Sequence, residues 1–142
     1  MTAVQPFIRV GVGVVLASQL VVSLWQALLP RQFYDNFPTV ALTPPYSEHL
    51  MRDFGFAGLA IAVVLAAAVA WPSARLTLVA LVAYLAFAVP HLVFHLGHLA
   101  YFSAAETAFV LASVGGSVVL PAMLVIATGR VAAREKDAAA RQ

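Results

Sequence analysis

Cysteine is absent from this chain, so neither a disulfide nor a thiolate metal site can be built. Charge is almost as scarce. Asp, Glu, Lys and Arg make up 10% of the 142 residues, where an ordinary soluble domain carries about 25%. That shortage excludes a solvated globular surface, and a net charge of +2 leaves no basic face for a nucleic-acid partner. No serine sits in a nucleophile motif, which removes covalent serine chemistry. The glycines of "RVGVG" and "GFAG" fall inside apolar runs, where they read as close-packing positions and not as phosphate loops. The first apolar run ends in "LLPRQF" without a small-residue cleavage pattern, so it is read as a retained span and not a cleaved leader.

What is present is hydrocarbon: 63% of the residues are hydrophobic, and the mean hydropathy is +0.93. Four apolar runs are long enough to cross roughly 30 Å of bilayer core as helices, at about residues 7–29, 44–71, 74–100 and 104–128. Backbone polar groups in lipid must be satisfied internally, and continuous apolar runs exclude a barrel, so helices remain. The second run opens at Pro44–Pro45, with Thr43 or Ser47 as its cap. The short "WPSAR" turn and the equally short link between runs three and four force antiparallel neighbours. The expected fold is all-α: one integral-membrane four-helix antiparallel bundle over 1–129, an outer loop at 30–43, and a basic cytoplasmic tail at 130–142.

Arg9, Arg75, Arg130, Arg134, Lys136 and Arg141 share one side of such a bundle, and only Arg31 and Arg52 fall on the other. Positive charge favours the cytoplasm, so both termini are expected inside the inner (plasma) membrane. The segment "PRQFYDNFPTVALTPPY" then lies outside, with Phe33, Tyr34, Phe37 and Tyr46 suited to the interface.

Against this background "VPHLVFHLGHL" is anomalous, because it holds His91, His95 and His98 in an otherwise lipid-like run. Spacings of i, i+4 and i+7 place the three within an arc of about 60° on a helix. His98 stands roughly 35 Å above Arg75 at 1.5 Å per residue, near the outer interface. The fourth histidine, His49, opens the second span on the same side. It is joined there by Glu48 and Arg52, by Asp53, and by Glu106 at the start of the fourth span. Gln19, Ser23 and Gln26 of the first span and Ser113 and Ser117 of the fourth also carry polarity. Each span thus brings a polar stripe to the outer half, whereas "AIAVVLAAAVA" shows how bare the inner half is. Ionisable groups inside a membrane are costly and face a cavity, a partner or a ligand. An outward-opening polar pocket roofed by the 30–46 loop is the expectation, widened by Pro90 and Pro121, each of which frees a carbonyl in its helix.

Imidazoles at i, i+4 bind one ion from one helix face. The leading expectation is therefore a divalent transition metal (zinc, iron, manganese or copper) on His49, His91, His95 and His98. Asp53, Glu48 and Glu106 would serve as ligands or as groups that orient them. Whether catalysis on a lipid-like substrate follows is left open. A b-type haem held by His49 with His91 or His95 is the alternative. A metal-free accessory subunit, a transporter component, or part of a homo-oligomer or larger membrane complex is another. Di-iron oxygenase chemistry is excluded, because that histidine-rich family uses about twice the four imidazoles present here. The segments "FYDNFP", "PPYSEHLMRDFG" and "VPHLVFHLGHL" are similar to segments of small actinobacterial-type four-helix membrane proteins, DoxX-like in outline. The resemblance spans nearly the whole chain and implies the four-helix fold, but no chemistry and no site residue.

Overall fold

The computed structural model describes residues 5–42 and 45–140, and of Glu135 the backbone alone. Its elements are α1 (Pro6–Leu28), α2 (Pro30–Asn36), a 3-10 turn (Val40–Leu42), α3 (Glu48–Ala70), α4 (Ala74–Leu96), a second 3-10 turn (Leu99–Tyr101) and α5 (Ala104–Ala139). No strand occurs among the described residues. Helices α1, α3, α4 and α5 are each long and apolar enough to cross a membrane, so the chain is an all-α four-helix bundle. Its outer surface agrees with that setting. Val10, Val63 and Met123 are 67%, 68% and 62% exposed, an arrangement water would penalise and lipid does not.

Local sequence chemistry sets the helix starts. Pro6 and Pro30 open α1 and α2, where a missing N–H costs nothing. Ser47, Ser73 and Ser103 each cap a span, their hydroxyls accepting from the amides of Leu50, Leu76 and Glu106. The expected Ser47 cap is thus the one formed, whereas Thr43 and Pro44 lie outside the described residues.

Packing is uneven around the bundle. The α1/α3 pair is the most extensive, followed by α4/α5, with α3/α4 and α1/α5 closing the ring. Gly55 and Gly58 explain the first. A methyl on Gly55 would stand 2.5 Å from the Ala27 nitrogen, and one on Gly58 would collide with Ser23 Oγ. The two helices approach as closely as bare backbone allows. The "GFAG" glycines are therefore packing positions, as is Gly11 against Leu124, but Gly13 has open space. Ile8, Val12 and Val15 meet Leu65, Ala68, Ala80, Leu81, Tyr84, Ala88 and Leu124 in one apolar core. These residues belong chiefly to the half of the bundle that holds the α3/α4 turn.

Three boundaries differ from expectation. The first half of the expected loop is the helix α2, pinned by the Arg31–Asp35 pair at 2.7 Å and by burial of Phe33. The Phe33 ring meets Trp25 at 5.5 Å and Phe37 at 4.8 Å, and Phe37 reaches Phe109 of α5 at 6.2 Å. Helix α4 ends at Leu96, and the chain turns through Gly97 into the second 3-10 turn. Helix α5 does not stop at Gly129 but runs on to Ala139, through a stretch of strong helix formers.

Candidate functional site: an uncovered imidazole face on α4

Along α4, Ala74, Thr77, Ala80, Leu81, Tyr84 and Ala88 are buried, one stripe turned to the core. The same stripe continues at three and seven residues beyond Ala88, to His91 and His95. There the covering stops: His91 is exposed, and His95 and His98 are half-buried. The bundle is closed over the first four turns of this face and open over the imidazoles.

The rings form a ladder. Phe54 of α3 meets Phe87 at 6.4 Å, Phe87 stacks on His91 at 5.5 Å, and His91 meets His95 edge to face at 4.7 Å. His95 continues to Phe102 at 6.3 Å, while His98 stacks on Phe94 at 4.1 Å and on Tyr101 at 6.0 Å. His98 Nδ1 lies 2.6 Å from the Phe94 carbonyl. A carbonyl can only accept, so Nδ1 carries a proton, and in the neutral tautomer Nε2 is the nitrogen with the lone pair. His95 Nδ1 is buried without a hydrogen-bond partner, an orphan that asks for an explanation.

The other expected ligands are elsewhere. His49 has an 89% exposed side chain and pairs with Asp53 on its own helix at 3.2 Å. Glu48 Oε1 accepts from Arg52 Nε and Nη2, each at 2.9 Å. Glu106 completes a capping box, its carboxylate accepting from the Ser103 amide at 2.8 Å. Among the described residues no three of His, Asp and Glu stand together closely enough to hold one ion. The shell joining His49, Asp53, Glu48 and Glu106 to the α4 histidines is thus not formed in this geometry. The physical reason is azimuth. Gly55 and Gly58 turn one face of α3 onto α1, and His49 stands about half a turn from Gly58.

The polar stripe of α1 is likewise part of packing: Gln19 Nε2 donates to Ser23 Oγ at 2.8 Å, and Ser23 is buried against Gly58. Ser113 and Ser117 donate to carbonyls of their own helix, Phe109 at 2.7 Å and Val114 at 2.7 Å. The 30–46 segment is tied by its aromatic rings to α1 and α5, and no ring contact joins it to the histidines among the described residues.

A second feature was not expected from the sequence. Leu28, Leu29, Pro30, Arg31, Gln32, Tyr46, Glu48 and Arg52 line an open cavity of about 230 Å³ where α1 ends and α3 begins. Arg52 Nη1 donates to the Ala27 carbonyl at 2.6 Å, and Arg31 lies over the Tyr46 ring at 5.0 Å. The hydrogen bond to Asp35 holds the Arg31 proton more firmly than in a free guanidinium. The signal was available: Arg31 and Arg52 are the two basic residues set apart from the six that share the other side of the bundle. No family model, no curated protein and no solved structure matches this chain.

Proposed function

We propose that the chain is a small multi-pass protein of the inner (plasma) membrane, with both termini cytoplasmic, that binds a divalent transition ion through the imidazoles of α4. The observation that carries this reading is the loss of cover at His91, with His95 half-buried one turn on, where both continue the buried face of α4. His91 and His95, with ring centroids 4.7 Å apart, would each supply one nitrogen, leaving the remaining positions on zinc, iron, manganese or copper to water or a small molecule. His98, fixed in its tautomer by the Phe94 carbonyl, offers a further lone pair one turn out. Orientation follows from the six basic residues that share the opposite side.

Elemental analysis of purified protein tests the ion. About one ion per chain is expected after zinc loading, lost in His91→Ala and in His95→Ala and retained in His49→Ala. No ion above background in the unaltered protein would overturn the reading. A lipid-like small molecule with a flat ring is the second reading, favoured by the Phe87–His91 stack. Solvent extraction of metal-free protein would then yield a stoichiometric amphiphile.

The absence of cysteine makes orientation simple to check. Asn36, beyond the end of α1, and Ala138, in the last turn of α5, are both exposed and lie toward opposite ends of the bundle. Asn36→Cys is expected to react with an impermeant thiol reagent on intact cells, and Ala138→Cys only after permeabilisation. The reverse pattern would put the histidine face on the cytoplasmic side.

A further inference from the structure

The two arginines on the outer side are 21 positions apart in sequence, yet both line the cavity of about 230 Å³ beside Leu28 and Leu29. We propose that this cavity seats the phosphoethanolamine headgroup of a membrane phospholipid. The proposal stands apart from any ion on α4.

Three observations carry it. The first is position. The cavity lies where α1 leaves its apolar run and α3 begins its own, the level of a lipid headgroup, and the Tyr34–Tyr46 ring pair at 5.3 Å marks that level. One wall is hydrocarbon: Leu28 and Leu29 are 61% and 49% exposed, so acyl chains can lie along them while the head enters. A volume below the ~300–1,000 Å³ of a drug-sized pocket suits a headgroup whose chains remain outside.

The second is spare binding capacity of both signs. Arg31 uses Nε on Asp35, and its Nη groups make no hydrogen bond among the described residues. A guanidinium fork of this kind matches two phosphate oxygens. Glu48 uses Oε1 for both contacts with Arg52, and Oε2 takes no hydrogen bond among the described residues. A free cationic fork and a free carboxylate oxygen in one small cavity complement a zwitterion, the phosphate on Arg31 and Arg52 and the ammonium on Glu48.

The third observation selects the amine. A quaternary ammonium has no N–H to give Glu48 and binds best over an aromatic face. The Tyr46 face is already taken by Arg31. A primary ammonium with three donors fits what is left.

Delipidated full-length protein in detergent, mixed with equal mole fractions of dioleoyl phosphatidylethanolamine, phosphatidylglycerol and phosphatidylcholine, tests the proposal by native mass spectrometry. Phosphatidylethanolamine is expected to be retained about tenfold over phosphatidylcholine, and above phosphatidylglycerol, as one charge-assisted hydrogen bond allows. Glu48→Gln should erase that preference while leaving phosphate-dependent retention. Arg31→Ala should weaken all three lipids, and Arg31→Lys should weaken them less. The Arg31 and Glu48 side chains are 66% and 58% exposed, so these variants are expected to fold. Arg75→Ala, at the other end of the bundle, should change nothing. Soluble phosphoethanolamine should displace bound lipid better than inorganic phosphate. Equal retention of the three lipids, a preference that survives both substitutions, or equal displacement by inorganic phosphate would each overturn the proposal.

Discussion

Gly55→Val is expected to separate α1 from α3 and to destabilise the bundle by about 1–3 kcal/mol or more, the cost of forcing atoms into a filled interior. The substituent has nowhere to go. Its first carbon would stand 2.5 Å from the Ala27 nitrogen, 2.8 Å from the Ala27 Cα and 2.8 Å from its Cβ, all on the neighbouring helix and two of them backbone. Backbone cannot swing aside as a side chain can, so the helices must move apart along their most extensive contact. Gly58→Val meets softer neighbours, since Ser23 and Gln19 can change rotamer, and is expected to cost less. Gly13→Ala meets open space and is expected to be neutral or to stabilise by about 0.5–1 kcal/mol through helix propensity. Thermal unfolding in detergent should rank the variants Gly55→Val, Gly58→Val, Gly13→Ala from most to least damaging. A Gly55→Val protein that melts with the unaltered chain would mean that the helices do not approach this closely. The same variant reaches the headgroup cavity, because Gly55 faces the N, Cα and Cβ of Ala27, the residue whose carbonyl accepts from Arg52. Weakened phospholipid retention is expected in step with the loss of stability.

The four spans were legible because an apolar run of some twenty residues has only one way to satisfy its backbone in lipid. The Ser47 cap of α3 was legible for a similarly local reason, and those of Ser73 and Ser103 were not read. What the sequence conveys poorly is azimuth. Counting residues along a helix sets height, and it puts His49 near the start of α3 and His91 and His95 near the end of α4. The direction of His49 depends on which face of α3 meets α1, and that is decided by Gly55 and Gly58. Those glycines were read as packing positions, and a half turn from Gly58 leads to His49, so the outward direction was within reach. Glu106 was also within reach. "SAAE" at 103–106 is a serine followed three residues later by glutamate before an apolar run, the pattern of a capping box. Helix α2 was not readable from local propensity. Seven residues are too few to hold a helix alone, and this one depends on burying Phe33 against Trp25 and Phe37.

In zinc-loaded protein, His91→Ala and His95→Ala are expected to be strongly non-additive. An ion that binds only the folded chain stabilises it by about 2.7 kcal/mol at one hundred times its dissociation constant. If His91 and His95 share that ion, the loss of either ring removes most of the contribution, and the loss of the second adds little. The geometry makes the pair the test: the rings are 4.7 Å apart on adjacent turns, with no other hydrogen-bonding side chain between them in the ladder. A chelator should abolish the non-additivity and leave only the small cost of the lost rings. His49→Ala enters the cycle as the outside reference. Its exposed pair with Asp53 predicts additivity with either α4 substitution, in zinc and in chelator alike. The opposing account treats the imidazoles as packing groups with contacts of their own, each worth roughly 0.6 kcal/mol in a membrane interior. Under that account the His91 and His95 losses add and zinc is irrelevant. Additive, chelator-indifferent losses would retire the ion and leave the uncovered face to a small molecule. Coupling of His49 to His95 in zinc would instead restore the two-helix shell that the α3/α1 packing turns away.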